Sequence, residues 1–186
     1  MEMNKEKMKY AIAQLLEAIG EDTKNPALRK TPKRTAEMFE RALCGNGREI
    51  GDLFQATHHA VYGGLVIVKD VSFYSLCEHC LFPFFGEISI GYIPKGNKIV
   101  GVDKLTEAVE ILSRRFQLQE RLTNEISSNI MKRLKPRGVG VVIEARHLCM
   151  EMSGENKAES KVITSDFKGK LKKDFAARDE FLRLTK

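Results

Sequence analysis

The chain has 186 residues, 42% of them hydrophobic and 30% charged, which suits one soluble domain with a buried core. No apolar run reaches the roughly 18 residues of a membrane span, and the Lys- and Glu-rich start lacks the apolar stretch of a secretory signal, so a cytoplasmic protein without a membrane partner is expected. The net charge of +6 sits at the two ends, residues 1–48 and 168–186, as solvated helix faces do, and neither end interleaves aromatics with Lys/Arg, so no nucleic-acid partner is expected.

Met8, Ala11, Ile12, Leu15, Leu16 and Ile19 recur at helical spacing, and Gly20 is placed to stop that helix. Thr31-Pro32 reads as an N-cap followed by proline at the first helical position, opening a helix to about Leu43. Gly45, Gly47 and Gly51 mark a loop, so residues 1–50 read as an N-terminal helical extension and 51–186 as the main domain. Residues 65–68 form a β-rich run, and Ile88, Ile90 and Tyr92 alternate in a second strand that Pro94 ends. Asp103 can cap a helix carrying Leu105, Ala108, Val109 and Leu112. The next helix begins near Gln117, carries Leu118, Leu122, Ile126, Ile130 and Leu134, and closes at Pro136 and Gly138. Residues 139–145 read as a buried strand, 161–167 as its partner and 174–184 as a last helix. Helices and strands in this order predict an α+β fold with an antiparallel sheet.

Three of the four cysteines and two of the four histidines fall in two short segments, Cys77-Glu78-His79-Cys80 and His147-Leu148-Cys149, while Cys44 stands apart as a plain thiol. Thiolates and imidazoles are zinc ligands, and two from one turn joined by others from a distant strand end is a common supply. Two metal readings compete. A closed Cys3His site would be structural; an open site of Cys77, Cys80 and Cys149 would leave His79 and His147 free for proton transfer. A redox Cys-x2-Cys without metal is the third reading. Gln119 and Glu120 open a helix, where an amide beside a carboxylate can pair with the donor edge of a guanine-like ring or simply cap the helix.

These residues resemble the GTP cyclohydrolase I family. The resemblance runs through Leu28-Arg-Lys-Thr-Pro-Lys-Arg34, the stretch 74–84 around the first cysteines, Gly91-Tyr-Ile-Pro94, the stretch 113–123, the stretch 138–149 and Arg178-Asp-Glu-Phe-Leu182. It implies a tunnelling fold (T-fold), with two helices packed on the sheet, assembled as a homo-oligomer, a decamer of two pentamers with sites between subunits. It implies a zinc enzyme that opens the guanine imidazole ring of GTP, releases formate and closes dihydroneopterin triphosphate. Cys77 and Cys149 match its zinc ligands, His79 and His147 its catalytic histidines, Gln119 and Glu120 its guanine anchor, and Lys104 a phosphate-binding lysine.

The sequence departs from the family in two places. Cys80 stands where the family has a zinc-ligating histidine; a thiolate still suits zinc but leaves a more electron-rich, less Lewis-acidic centre. In the phosphate pocket Asp103, Glu107 and Ser153 replace a serine and two arginines, leaving Lys104 with Lys157 and Lys161 as the remaining cations. A diverged paralogue acting on a less-phosphorylated purine or pterin is therefore the alternative, and a non-catalytic pterin- or purine-binding subunit a further one.

Overall fold

The computed structural model describes residues 3–55, 57–59, 61–96, 98–152 and 160–186. Its elements are α1 (Lys5–Ala18), α2 (Thr31–Ala42), β1 (Thr57–His59), β2 (Val66–Cys77), β3 (Pro83–Ile93), β4 (Lys98–Val100), α3 (Val102–Ser113), β5 (Phe116–Gln117), α4 (Gln119–Arg133), β6 (Gly138–His147), α5 (Leu148–Glu151), β7 (Lys161–Gly169), α6 (Lys170–Lys173) and α7 (Phe175–Leu184). Among the described residues no helix is long and apolar enough to cross a membrane.

The α+β layout follows from where apolar residues fall. Strands β2, β3, β6 and β7 are antiparallel neighbours in a five-stranded sheet of order β5-β2-β3-β6-β7. The sheet is mixed rather than purely antiparallel, because β5 adds to β2 in parallel through Leu76↔Phe116 and Cys77↔Gln117. On one sheet face Ile88, Ile90, Val139, Val141 and Ile143 are fully buried, against Leu105, Val109 and Leu112 of α3 and Leu122, Ile126 and Ile130 of α4. That two-layer contact is the main core, with alternation on the strands matching the one-sided stripe of each helix. A smaller core of Ile93, Leu171 and Phe181 forms where α7 closes one end of the other face.

Several boundaries differ from the sequence expectation, each for a local reason. The first long strand continues to Cys77, because Lys69-Asp70 form a bulge rather than an end: the β2–β3 register shifts between Val68 and Val71, and Asp70 sits at φ 60. Asp103 does not cap α3; Gly101 is the N-cap and no side chain bonds there. Thr31 is the first helical residue of α2, with Lys30 as the N-cap and no side-chain capping bond. The fourth helix begins at Gln119, since Gln117 is drawn into β5. On α1, capped by Asn4, only part of the apolar stripe packs on α2; Leu15 and Ile19 are exposed.

The segment after α2 is tied to the core through Gly45. Its N–H donates to Arg114 O (3.0 Å), and a Cβ there would stand 2.2 Å from Ile111 O, so only glycine permits the approach.

Candidate active site

The chemistry-bearing residues gather where β2 ends, β3 begins and β6 ends. The β2–β3 register brings Pro83 opposite Leu76, and the β3–β6 register brings Phe84 opposite His147. The turn 78–82 closes through Cys77 N to Phe82 O (2.9 Å) and Leu81 N to Cys77 O (2.8 Å), with Leu81 in the left-handed region at φ 62. Cys77 is buried, Cys80 half-buried and His79 exposed on that turn. Arg121 of α4 fastens the turn from outside: it ion-pairs with Glu78 and its Nε donates to Gln117 Oε1 (2.8 Å). The Glu78 carboxyl is accordingly held below its ordinary range, chiefly by the Arg121 hydrogen bond.

His147, the last residue of β6, is fixed on two sides. Its ring stacks on Phe84, with centroids 4.8 Å apart and planes 10° apart. Its Nε2 lies 2.7 Å from Gln119 Oε1. Gln119 is 1% exposed, and its Nε2 donates to Val162 O (2.9 Å), Thr164 Oγ1 (3.1 Å) and Ile143 O (3.2 Å). Backbone carbonyls can only accept, so the amide nitrogen must face them and Oε1 must face the histidine. His147 Nε2 therefore carries a proton and donates it, and Nδ1 holds the lone pair. Burial lowers the His147 pKa from its usual value, against a smaller opposing effect of the Glu120 charge. The ring is thus neutral near pH 7, with Nδ1 as a proton acceptor.

Glu120, one residue further in the first turn of α4, is exposed. Gln119 and Glu120 thus part company: Glu120 is available to a ligand, while the Gln119 side chain is engaged inside the protein. Within the chain the Gln119 side chain is held between His147 and the strands β6 and β7.

Cys149 is half-buried on α5 immediately beyond His147. Arg146 clamps that short helix through a two-pronged contact with Glu151, Nε and Nη2 each 2.8 Å from a carboxylate oxygen. The topology brings Cys77, Cys80, His147 and Cys149 to one end of the sheet, and their donor chemistry is that of a zinc site. Among the described residues, however, no group of three His, Cys, Asp or Glu side chains is disposed to hold a metal ion.

Lys104 lies elsewhere. Its helix starts beside β4, where Val100 N donates to Tyr92 Oη (3.1 Å), and ends near the cluster, where Ser75 Oγ donates to Arg115 O (3.2 Å). The nine residue steps from Lys104 to Ser113 span about 14 Å of helix, so Lys104 stands toward the Tyr92 end of β3 and His147 beside Phe84 at the other. Lys104 Nζ is also flanked at 3.2 Å by both Asp103 Oδ2 and Glu107 Oε2, and Lys161 is paired with Glu144. Ser153 and Lys157 lie outside the described residues. Sequence reasoning missed Arg121, Thr164 and Phe84; of these only Arg121, four residues after Gln117 on a polar helix face, left a spacing that could have shown it.

One end of an α+β sheet thus carries a half-buried histidine held by a buried amide, three cysteines and an exposed carboxylate, the side chains of a hydrolytic enzyme site. The GTP cyclohydrolase I family profile matches residues 8–186, and this chain belongs to that family, whose T-fold the sheet and its two packed helices represent. It is 45% identical over 181 residues to GTP cyclohydrolase 1 of Bacillus subtilis (strain 168), covering 97% of this chain and 95% of that one. Identity is likewise 45% over 181 residues to the GTP cyclohydrolase 1 of Streptococcus thermophilus (strain CNRZ 1066), covering 97% of each chain. The archaeosine synthase QueF-Like in the apo form aligns with a TM-score of 0.47 at 20% identity, over 58% of this chain and 96% of that one.

Proposed function

We propose that this chain is a cytoplasmic hydrolase that opens the imidazole ring of the guanine of GTP, expels C8 as formate and yields dihydroneopterin triphosphate. The observation that carries the reading is the His147–Gln119 pair at 2.7 Å, which presents a neutral imidazole beside the thiol cluster in a chain of this family.

Cys77, Cys80 and Cys149 would hold zinc, which supplies Lewis-acid polarisation of water at the ring carbon. The chain's own residues do the rest. His147 accepts a proton at Nδ1 and returns it as the ring opens, because Gln119 keeps Nε2 protonated. His79, exposed on the turn, exchanges protons with solvent and serves the ribose steps. Glu120 accepts from the N1–H and amino group of guanine, whose donors a carboxylate matches in pairs. Because Lys104 stands apart from His147 within one chain, the phosphate end of the site is completed by a second copy, as in a decamer of two pentamers. Zinc-loaded protein given GTP should release formate and a fluorescent pterin after oxidation; absence of both with GTP would defeat the reading.

One observation favours a second reading, a paralogue using a purine with fewer phosphates. Lys104 is neutralised by Asp103 and Glu107, so the helix start that the family resemblance assigns to triphosphate presents net negative charge. Restoring the cationic pattern with Asp103→Ser and Glu107→Arg should then shift preference from GMP or guanosine toward GTP by about tenfold or more, since anion clamps of this kind act through charge-assisted bonds. If the unaltered chain already prefers GTP and the double variant changes nothing, the second reading falls.

A further inference from the structure

We propose that a cleft at the end of the sheet opposite the thiol cluster binds a compact polyphosphate anion, free or as the tail of a nucleotide. The inference is independent of which purine the active site takes.

The cleft encloses about 520 Å³ between the β3–β4 turn and the end of α4. Lys95, Lys98, Arg133 and Lys135 line it, with Gln55 and the buried ring of Phe54, and no carboxylate is among the lining residues. None of the four cations has an ion-pair partner among the described residues. Asp52 lines the adjoining hollow with Arg133 but forms no ion pair with it. Arg133 is held by neutral acceptors instead, Gly51 O and Asn129 Oδ1 (3.4 Å), which orient the guanidinium without cancelling its charge. Four like charges around one concavity repel one another unless a counter-anion enters.

The backbone adds a second, independent observation. Lys135 follows the C-cap Leu134 of α4 and sits at φ 50. That is the position where helices favour glycine, because a Cβ is strained in the left-handed region. A lysine there places a cation at the cleft that glycine would not. Attraction of cations to a helix C-terminus accounts for Arg133 and Lys135 but not for Lys95, which follows β3, or Lys98, which opens β4. Within one chain the cleft is remote from His147: β3 runs from Phe84 beside that histidine to Ile93 just before Lys95, about 30 Å at strand rise.

The test is calorimetric titration of sodium tripolyphosphate into the full chain, alongside Lys95→Ala/Lys98→Ala/Lys135→Ala and, separately, Lys135→Gly. Saturable binding is expected at about 50 mM salt, steeply weakened at 200 mM, with the triple variant weaker by about tenfold or more and less salt-dependent. Lys135→Gly should melt higher yet bind more weakly, a combination that a purely structural lysine would not give. Displacement by a nucleoside triphosphate assigns the anion to a nucleotide tail, and its failure assigns it to free polyphosphate. Unaltered affinity in the triple variant, displacement by an uncharged nucleoside, or no saturable binding at low salt would overturn the proposal.

Discussion

Replacing Gln119 with leucine is expected to lower turnover of GTP by about 10–100-fold while leaving the protein folded, an effect within the range that a positioned general acid–base contributes. The leucine removes the acceptor that selects the Nε2–H tautomer of His147, at 2.7 Å, and takes the amide donor from Val162 O and Ile143 O, while Thr164 Oγ1 keeps Thr123 Oγ1 at 2.7 Å. Each buried polar group left without a partner costs about 1–3 kcal/mol, so a lowered melting temperature should accompany the kinetic loss. Stability alone does not define the role. The separating measurement is the nitrogen NMR spectrum of His147 in the zinc-loaded protein, which should show Nε2 protonated in the parent chain and a mixture of tautomers in the variant. A single Nε2–H tautomer in both would show that Gln119 does not orient the ring. His147→Ala should lose more, about 10²–10⁴-fold, and adding Gln119→Leu to it should cost little further turnover, since the two act through one proton.

How much of this was legible beforehand depends on whether a residue's role is local. The helical repeat of Leu105, Val109 and Leu112 and the alternation of Ile88, Ile90 and Tyr92 encode their own elements, and both stand buried in the core as read. The bulge at Asp70 is different: two polar residues in a row look like a strand end, and only pairing with β3 shows that the strand resumes at Val71. The site divides the same way. Thiols at Cys-x2-Cys spacing announce themselves in sequence. The work of Gln119 does not, because its partners lie 24 to 45 positions away on β6 and β7. An amide opening a helix reads as a solvated cap until the strands that bury it are in place. Charge shows the same limit, since the acidic replacements at positions 103 and 107 are visible in sequence but their closure onto Lys104 is a matter of geometry.

The largest stability effect should come from Phe84→Ala. Phe84 is 1% exposed, meets Phe73 edge-on (centroids 5.8 Å, 73°) and stacks on His147. Truncating a buried phenylalanine costs about 3–5 kcal/mol, a large share of the roughly 5–15 kcal/mol that holds a domain folded. At about 2–4 °C per kcal/mol for a chain of this size, the melting temperature should fall by about 6–20 °C, measured at fixed protein concentration because assembly contributes. Phe84→Leu separates packing from stacking. Leucine fills most of the volume, so the fold should survive with a smaller loss, yet the flat surface under the imidazole is gone and His147 can tilt away from Gln119. Turnover should then drop further than stability does. If Phe84→Leu instead retains full turnover, the ring stack is packing alone, and the orientation of His147 rests on the Gln119 hydrogen bond.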